Sequence, residues 1–445
     1  MSSEPLHTTA GFPYVDGGTS LRNQYAYESD RIGCLRDWAR RYGDVFGYGQ
    51  RNVIVNHPEL VHKILARTNI EFANTVPLVE HRMTAQDNLQ SWMRGRRQGA
   101  RGITPELIGD CVHRLDEALL AALSGIEGRR LDLLTACEIV CGRAITDLCL
   151  GSDAQAFYKV TAKASRDILA VSRTLDAPPW GSGRRYRRAV EAENDLTRRL
   201  LAVISRRTDH GKTDEHGSLA EVLLGHSDRL PDEVVASVLR IALIGGHGTP
   251  GTSLAWAALE MFRHPGHRSR LKDEALRRSA GLPYTTAFVK EVLRFHPPTW
   301  LLAREVVDPV SLGEVRLRRG QHVLFSPYLM HHDERWWGDD PSTFAPDRWL
   351  LGKSPHTPHA YLPFGSGPRG CVAGLLGLTT LVRAVSLLAT AYEPVVKEPR
   401  NSVARPDVLL TPARCRVRFL RSRDAEPLGK TGGLRLQGEN VGSDT

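Results

Sequence analysis

Phe364-Gly365-Ser366-Gly367-Pro368-Arg369-Gly370-Cys371-Val372-Ala373-Gly374 sets one cysteine in a glycine-rich turn, two residues after an arginine and just before an apolar helical pattern. Glycines in such a turn adopt backbone conformations closed to other residues, so the chain can pass close beneath a flat macrocycle and turn peptide N–H groups toward the sulfur. A free thiol titrates at roughly 8.5, and metal coordination together with those N–H dipoles holds it as the thiolate. A thiolate pushes electron density onto a bound iron and favours O–O cleavage, which histidine does less well. A lone cysteine beside a turn is most often structural. Here Phe, two spaced glycines, Arg and Cys all fall at fixed offsets, and that combination points to a presented ligand.

At these residues the chain resembles the cytochrome P450 superfamily in its soluble bacterial form. The resemblance implies haem b (iron protoporphyrin IX) as cofactor, Cys371 as its metal ligand, and Phe364 and Arg369 as further haem contacts, Arg369 through a propionate. It also implies a mainly α (α+β) class: a cytochrome P450 fold, a large helical domain with a small β-rich region and the haem between distal and proximal helices. The pattern along the chain has the same texture. Apolar spacing predicts helices from Asp30 to Tyr42 and from His57 to Arg67, with Val45–Val55 between them alternating like a short hairpin. From Thr104 to about Arg270 the pattern is almost all helical, interrupted by the loop Ala177–Gly183. After Pro297-Pro298, the stretches Val306–Leu312, Val315–Leu317 and His322–Ser326 read as short strands, followed by a Pro- and Trp-rich run down to the cysteine turn. Helices first with strands late is an α+β layout, and the resemblance runs from about Asp30 to Leu420.

The chain of 445 residues exceeds the usual single-core limit, yet no linker divides it and no repeat is visible. A single domain over 21–420 is expected, between a flexible N-terminus (1–20) and a flexible tail (421–445), both polar and without periodicity. An apolar fraction of 41% excludes wholesale disorder. Met1-Ser2-Ser3-Glu4-Pro5 lacks the basic start and apolar run of a signal peptide. The tracts Val234–Gly246 and Gly374–Thr390 are broken by Arg240 and Arg383, so a soluble cytoplasmic protein with no membrane partner is expected. Seven cysteines, mostly within helical patterns, argue against a disulfide framework. The net charge of +9 comes from dispersed arginines with no lysine-rich tail. That excludes a nucleic-acid partner and suits docking of an acidic electron carrier, a ferredoxin with its reductase, onto a monomer.

Further site residues follow from the resemblance. Trp92 and Arg96 make the Trp-x-x-x-Arg pair whose indole N–H and guanidinium reach one propionate, and Arg304 takes the strand position that serves the other. Glu291 and Arg294 share a helix face and, with Arg348 of Phe344-Ala345-Pro346-Asp347-Arg348-Trp349, form a structural triad behind the haem. The distal helix reads Ile244-Gly245-Gly246-His247-Gly248-Thr249-Pro250-Gly251-Thr252, where the family has Ala/Gly-Gly-x-Asp/Glu-Thr-Thr. Gly245 and Gly246 are then the groove for dioxygen, and Thr249, with Thr252, is the alcohol of the proton relay. Gly248 stands in place of the acid. Pro250 frees the carbonyl of Gly246, so the helix should kink or open there. His247, whose side chain ordinarily titrates near neutrality, is a further relay candidate.

The same resemblance frames a substrate pocket with Phe72, Val76, Leu78, Met83, Trp180, Trp300, Leu301 and Leu302, a mostly apolar set that suits a natural-product scaffold, as in antibiotic biosynthesis. The function it implies is a haem-thiolate monooxygenase inserting oxygen into a C–H bond. The missing acid keeps open a member that runs on peroxide or performs oxidative coupling or rearrangement.

Overall fold

Val45–Tyr48 and Asn52–Val55 close as an antiparallel hairpin about Gly49, whose φ of 65° suits a residue with no Cβ. The computed structural model describes residues 11–74, 93, 96–97, 105–172, 183–210, 218–225, 230–277, 279, 281–338, 340–352, 354–397 and 404–422. These form two compact units, one from the described residues within 1–76 and 293–371, the other from those within 77–292 and 372–445.

In the first unit the hairpin extends into a five-stranded sheet. Its order is Val45–Tyr48, Asn52–Val55, His322–Phe325, Leu302–Val306, Phe72–Asn74, with His322–Phe325 parallel to Asn52–Val55 and the other pairings antiparallel. The helix Pro58–Ala66 packs Val61, Ile64 and Leu65 onto the core formed by Val53, Phe72, Val323 and Phe325. Two expectations are corrected here. Residues 11–20 are not loose: Phe12 is only 1% exposed within that core, and Tyr14 bridges Gly47. Phe-Pro-Tyr-Val is too short a run to show periodicity. Val306–Leu312 is two strands, because Pro309 has no N–H to give a ladder. Val306 ends one strand, and Val310–Leu312 turns back on Val315–Leu317 about Gly313.

The same unit holds a knot of backbone acceptors about Arg294, near the end of the helix Pro283–Phe295. The Arg294 side chain is fully buried, donating from Nη1 to the carbonyls of His331 (2.8 Å) and Pro341 (2.7 Å) and from Nη2 to that of Thr343 (3.0 Å). Arg348 Nη2 donates to the Thr343 carbonyl as well, at 3.1 Å. His331 ties the knot to the cysteine loop: Nδ1 donates to the Arg294 carbonyl (3.1 Å) while Nε2 accepts from the Leu362 amide (2.9 Å). Burial, with His332 and Arg294 adding, holds this imidazole well below the ordinary histidine range, and only the neutral ring can make both bonds.

The second unit is mainly helical, as the 104–270 pattern predicts. Pro105–Ser124, Leu133–Leu150, Tyr158–Ser172, Gly183–His210, Asp232–Arg263 and Gly374–Thr390 are its long helices. Asp132 caps Leu133–Leu150 by accepting from the Thr135 amide. Arg383, deep in Gly374–Thr390, is held by Asp116, with Nε to Oδ1 at 2.6 Å. Among the described residues no helix is long and apolar enough to cross a membrane. The loop 177–182 and the tail beyond residue 422 lie outside the described residues.

Arg294→Ala should lower the unfolding free energy by about 3–5 kcal/mol, since the buried carbonyls of His331 and Pro341 lose this donor. Arg294→Lys should recover little of it, because an ammonium lacks the planar fork. Denaturant unfolding of the three proteins measures both.

Candidate active site

The cysteine loop lies against the end of the helix Pro58–Ala66. Gly365 and Gly367 sit at φ of 68° and 69°, and a Cβ at Gly367 would fall 2.3 Å from the Leu65 carbonyl oxygen. Both the dihedral and the space therefore demand glycine. The loop closes when the Cys371 amide donates to the Phe364 carbonyl (2.8 Å) and that of Gly370 to the Gly367 carbonyl (2.9 Å). Cys371 itself is exposed, three residues before the helix that starts at Gly374.

Two arginines converge on the short segment that follows Pro58–Ala66. Arg369 Nε donates to Asn69 Oδ1 at 2.9 Å, Asn69 being in the left-handed region at φ 77°. Arg304, 5% exposed on Leu302–Val306, donates from Nε to Thr68 Oγ1 and from Nη1 to Asn74 Oδ1, both at 3.2 Å. A presented thiol with two guanidiniums close in the chain fold fits a macrocycle bearing an iron and two carboxylates. Among the described residues no group of three or more His, Cys, Asp or Glu side chains is placed to hold a metal ion. Cys371 would hold the iron of such a macrocycle through its Sγ.

In the second unit, Asp232–Arg263 runs as one helix through Pro250, so the expected break is not found. Side-chain bonds bridge the turns beside the proline: Thr252 Oγ1 donates to the Gly248 carbonyl (2.9 Å) and Ser253 Oγ to that of Thr249 (3.2 Å). The glycines differ in purpose. Gly245 is exposed, with nothing within 4 Å of its Cβ position. Gly246 instead gives room to Ile145, whose Cγ1 would be 2.6 Å from a Cβ, and Gly251 to the backbone of Glu138. At Gly248 a Cβ would meet Leu169 Cδ1 at 3.0 Å. An apolar neighbour thus takes the space of the absent acid.

The family model for cytochrome P450 matches residues 23–413. The chain belongs to the cytochrome P450 family. It is 24% identical over 394 residues to cytochrome P450 714C3 of Oryza sativa subsp. japonica, a match covering 80% of this chain and 77% of that protein. It is 29% identical over 277 residues to the cyclooctatin synthase of Streptomyces melanosporofaciens, covering 58% and 59%. Two solved structures share the fold. The cytochrome P450DA heme domain superposes with a TM-score of 0.77 at 18% identity, over 94% of this chain and 99% of that one. The retinoic acid bound cyanobacterial CYP120A1 does so with 0.72 at 16%, over 88% and 95%. The protein is a cytochrome P450 monooxygenase, an enzyme whose family carries haem and takes electrons from redox partners.

In this P450 the predicted haem contacts Phe364, Arg369, Cys371 and Arg304 gather in one unit. Arg96 is a half-buried helical residue, and Trp92 lies outside the described residues. Thr249 is half-buried, whereas Thr252 is fully buried with its hydroxyl proton given to its own helix. His247 does not titrate near neutrality: burial, with Arg166 adding, pushes it down to about 4. Of the pocket residues, Phe72 and Trp300 are core side chains, and Leu301 and Leu302 are half-buried. Val76, Leu78, Met83 and Trp180 lie outside the described residues. Glu291 is fully buried one turn before Arg294, and Arg294 and Arg348 meet on the Thr343 carbonyl. Sequence reasoning missed Thr68, Asn69 and Asn74, for which the only local signal is an asparagine free to turn left-handed after a helix.

Cys371→Ala should abolish the thiolate-type carbon monoxide band of the reduced protein, while Cys34→Ala and Cys415→Ala leave it intact. Arg304→Ala should lower haem content after gel filtration several-fold, and Arg198→Ala, at a side chain 76% exposed, should not.

Proposed function

We propose that this cytochrome P450 inserts oxygen into a C–H bond of an apolar natural-product scaffold, as a cytoplasmic enzyme fed by an acidic ferredoxin and its reductase. The observation that carries the reading is the Cys371 thiol, held exposed in a loop whose glycines are sterically required. The scaffold class is supported by similarity to a protein named as the synthase of cyclooctatin, and the acidic partner by the net charge of +9. Bound haem b supplies dioxygen activation strengthened by the thiolate. The rest is the work of the chain. Cys371 would contribute Sγ, and the loop amides of Gly370 and Cys371, given to the Gly367 and Phe364 carbonyls, hold the turn that presents it. Arg304 and Arg369 would hold the two carboxylates of the haem. Gly245 leaves open space on the distal helix, and Thr249 offers a hydroxyl that can order water or hold a proton. Apolar side chains such as Leu301 and Leu302 help to exclude water around the substrate.

A second reading is favoured by one observation. With Leu169 against Gly248, no carboxylate reaches the distal helix from position 248, which suits an enzyme that takes hydrogen peroxide directly or couples substrates oxidatively.

Turnover with NADPH, ferredoxin and reductase, compared with hydrogen peroxide alone, tests the choice. Under the first reading Thr249→Ala raises the share of NADPH electrons recovered as hydrogen peroxide. Unchanged turnover in that variant, with peroxide supporting product formation as well as the reductase does, would replace the first reading by the second.

A further inference from the structure

The seam between Leu133–Leu150 and Asp232–Arg263 is built from reciprocal glycines. A Cβ at Gly251 would fall 2.7 Å from Glu138 Cα and 2.9 Å from its Cγ. One turn away, a Cβ at Gly142 would fall 1.8 Å from Nδ1 of His247. Glu138 and Gly142 are four apart on one helix, His247 and Gly251 four apart on the other, so the two pairs face each other in antiparallel register. Gly142 is the socket for the His247 ring, and Gly251 admits the backbone and Cγ of Glu138. Simple apolar packing asks for neither an acid nor an imidazole here.

Among the described residues the imidazole is not spent on another partner. His247 is 6% exposed, and its Nδ1 has no hydrogen-bond partner among the described residues. Burial pushes the Glu138 carboxyl up to about 7, with Asp132 adding and Arg166 opposing. Arg166 is exposed on the third helix, Tyr158–Ser172, next to Ser165, whose Oγ lies 3.7 Å from the Cβ position of Gly248. The adjoining thiols of Cys137 and Cys141 are pushed up by burial and stay neutral. A half-buried carboxyl that can be protonated or not at neutral pH thus sits one turn along the seam from a buried imidazole, beside the stretch of distal helix that lacks its own acid.

We propose that Glu138 and His247 form a proton relay into the distal helix, Glu138 standing in from the neighbouring helix for the acid absent at Gly248. The proposal rests on the monooxygenase reading above. The facing positions are one helical turn apart along the seam, ~5.4 Å, and the proposed relay runs through a water between the two side chains. The Glu138 carboxyl gives its proton through that water to Nδ1 of His247 while the ring gives the proton on Nε2 to a second water on the other side of the imidazole. The imidazole changes tautomer without becoming a populated cation, as its low basicity requires. Bulk water on the Arg166 side reprotonates the carboxylate.

The test uses full-length, haem-loaded wild type, Glu138→Gln, Glu138→Asp and His247→Leu. The carbon monoxide band is recorded first. Its presence in the variants shows the thiolate site intact, so that loss of the monooxygenase reading and loss of the relay are read separately. Protein reduced with dithionite is then mixed with dioxygen in H2O and in D2O, and the return of the oxidised spectrum is timed across pH. In wild type the rate should fall as pH rises through about 7 and show a solvent isotope effect. Glu138→Gln should be slower at acid pH by about 10²-fold, the low end for general acid catalysis, and flat with pH, and Glu138→Asp should restore the pH dependence. A readout without turnover runs beside it. The folded carboxyl holds its proton more tightly than the unfolded one, so wild type should lose thermal stability relative to Glu138→Gln as pH rises from 4.5 to about 7. Should Glu138→Gln fail to load haem, His247→Leu, which keeps the seam apolar, must show the same flat profile. A wild-type pH profile and isotope effect retained in either variant, or a stability difference independent of pH, overturns the proposal.

Discussion

The backbone of Gly367 lies directly against the carbonyl of Leu65, and the presentation of the thiol depends on that approach. Any side chain at 367 would be driven into a helix terminus, and its left-handed dihedral would be strained even in open space. With the contact in place, the loop inherits the rigidity of Pro58–Ala66, which is itself fixed by burying Val61, Ile64 and Leu65 in the sheet core. The ordering runs from apolar burial to helix, from helix to loop, and from loop to sulfur. Arg369 extends it to Asn69, so the segment after the helix is locked by the loop that the helix supports.

The sequence made the cysteine loop legible because its constraints are local: fixed offsets, two glycines and one nucleophile. The hairpin at 45–55 was legible for the same reason, its alternation and its turn being neighbours in the chain. Arg304 was reachable only through resemblance, since a lone arginine on a strand carries no local mark. His331 was invisible. Its two bonds join residues 294 and 362, and nothing around position 331 announces a buried neutral imidazole. Phe72 and Trp300 show the opposite failure, since an apolar side chain reads the same whether it lines a cavity or fills a core.

The glycines of the distal helix show how a motif can be misread by its spelling. Gly245 and Gly246 look like one feature in the sequence, yet the first faces open space and the second accommodates Ile145. Gly248 looks like a deletion of chemistry, while in the packed helices it is filled by Leu169. Pro250 promised a broken helix. The helix nevertheless runs on through it, packed along the seam against Glu138. At Gly246 and Gly248 a facing helix supplied the term that the local sequence does not show.

Three acceptors of Arg294 are main-chain carbonyls. A carbonyl is the same whatever residue bears it, so the donor specifies this knot while leaving the side chains at the other ends of its bonds unspecified. The coding burden is therefore concentrated: one codon fixes the path of three loop segments, whose own letters are free to drift as far as packing allows. Lineages descending from this chain should thus keep the arginine long after the words around its partners have become unrecognisable.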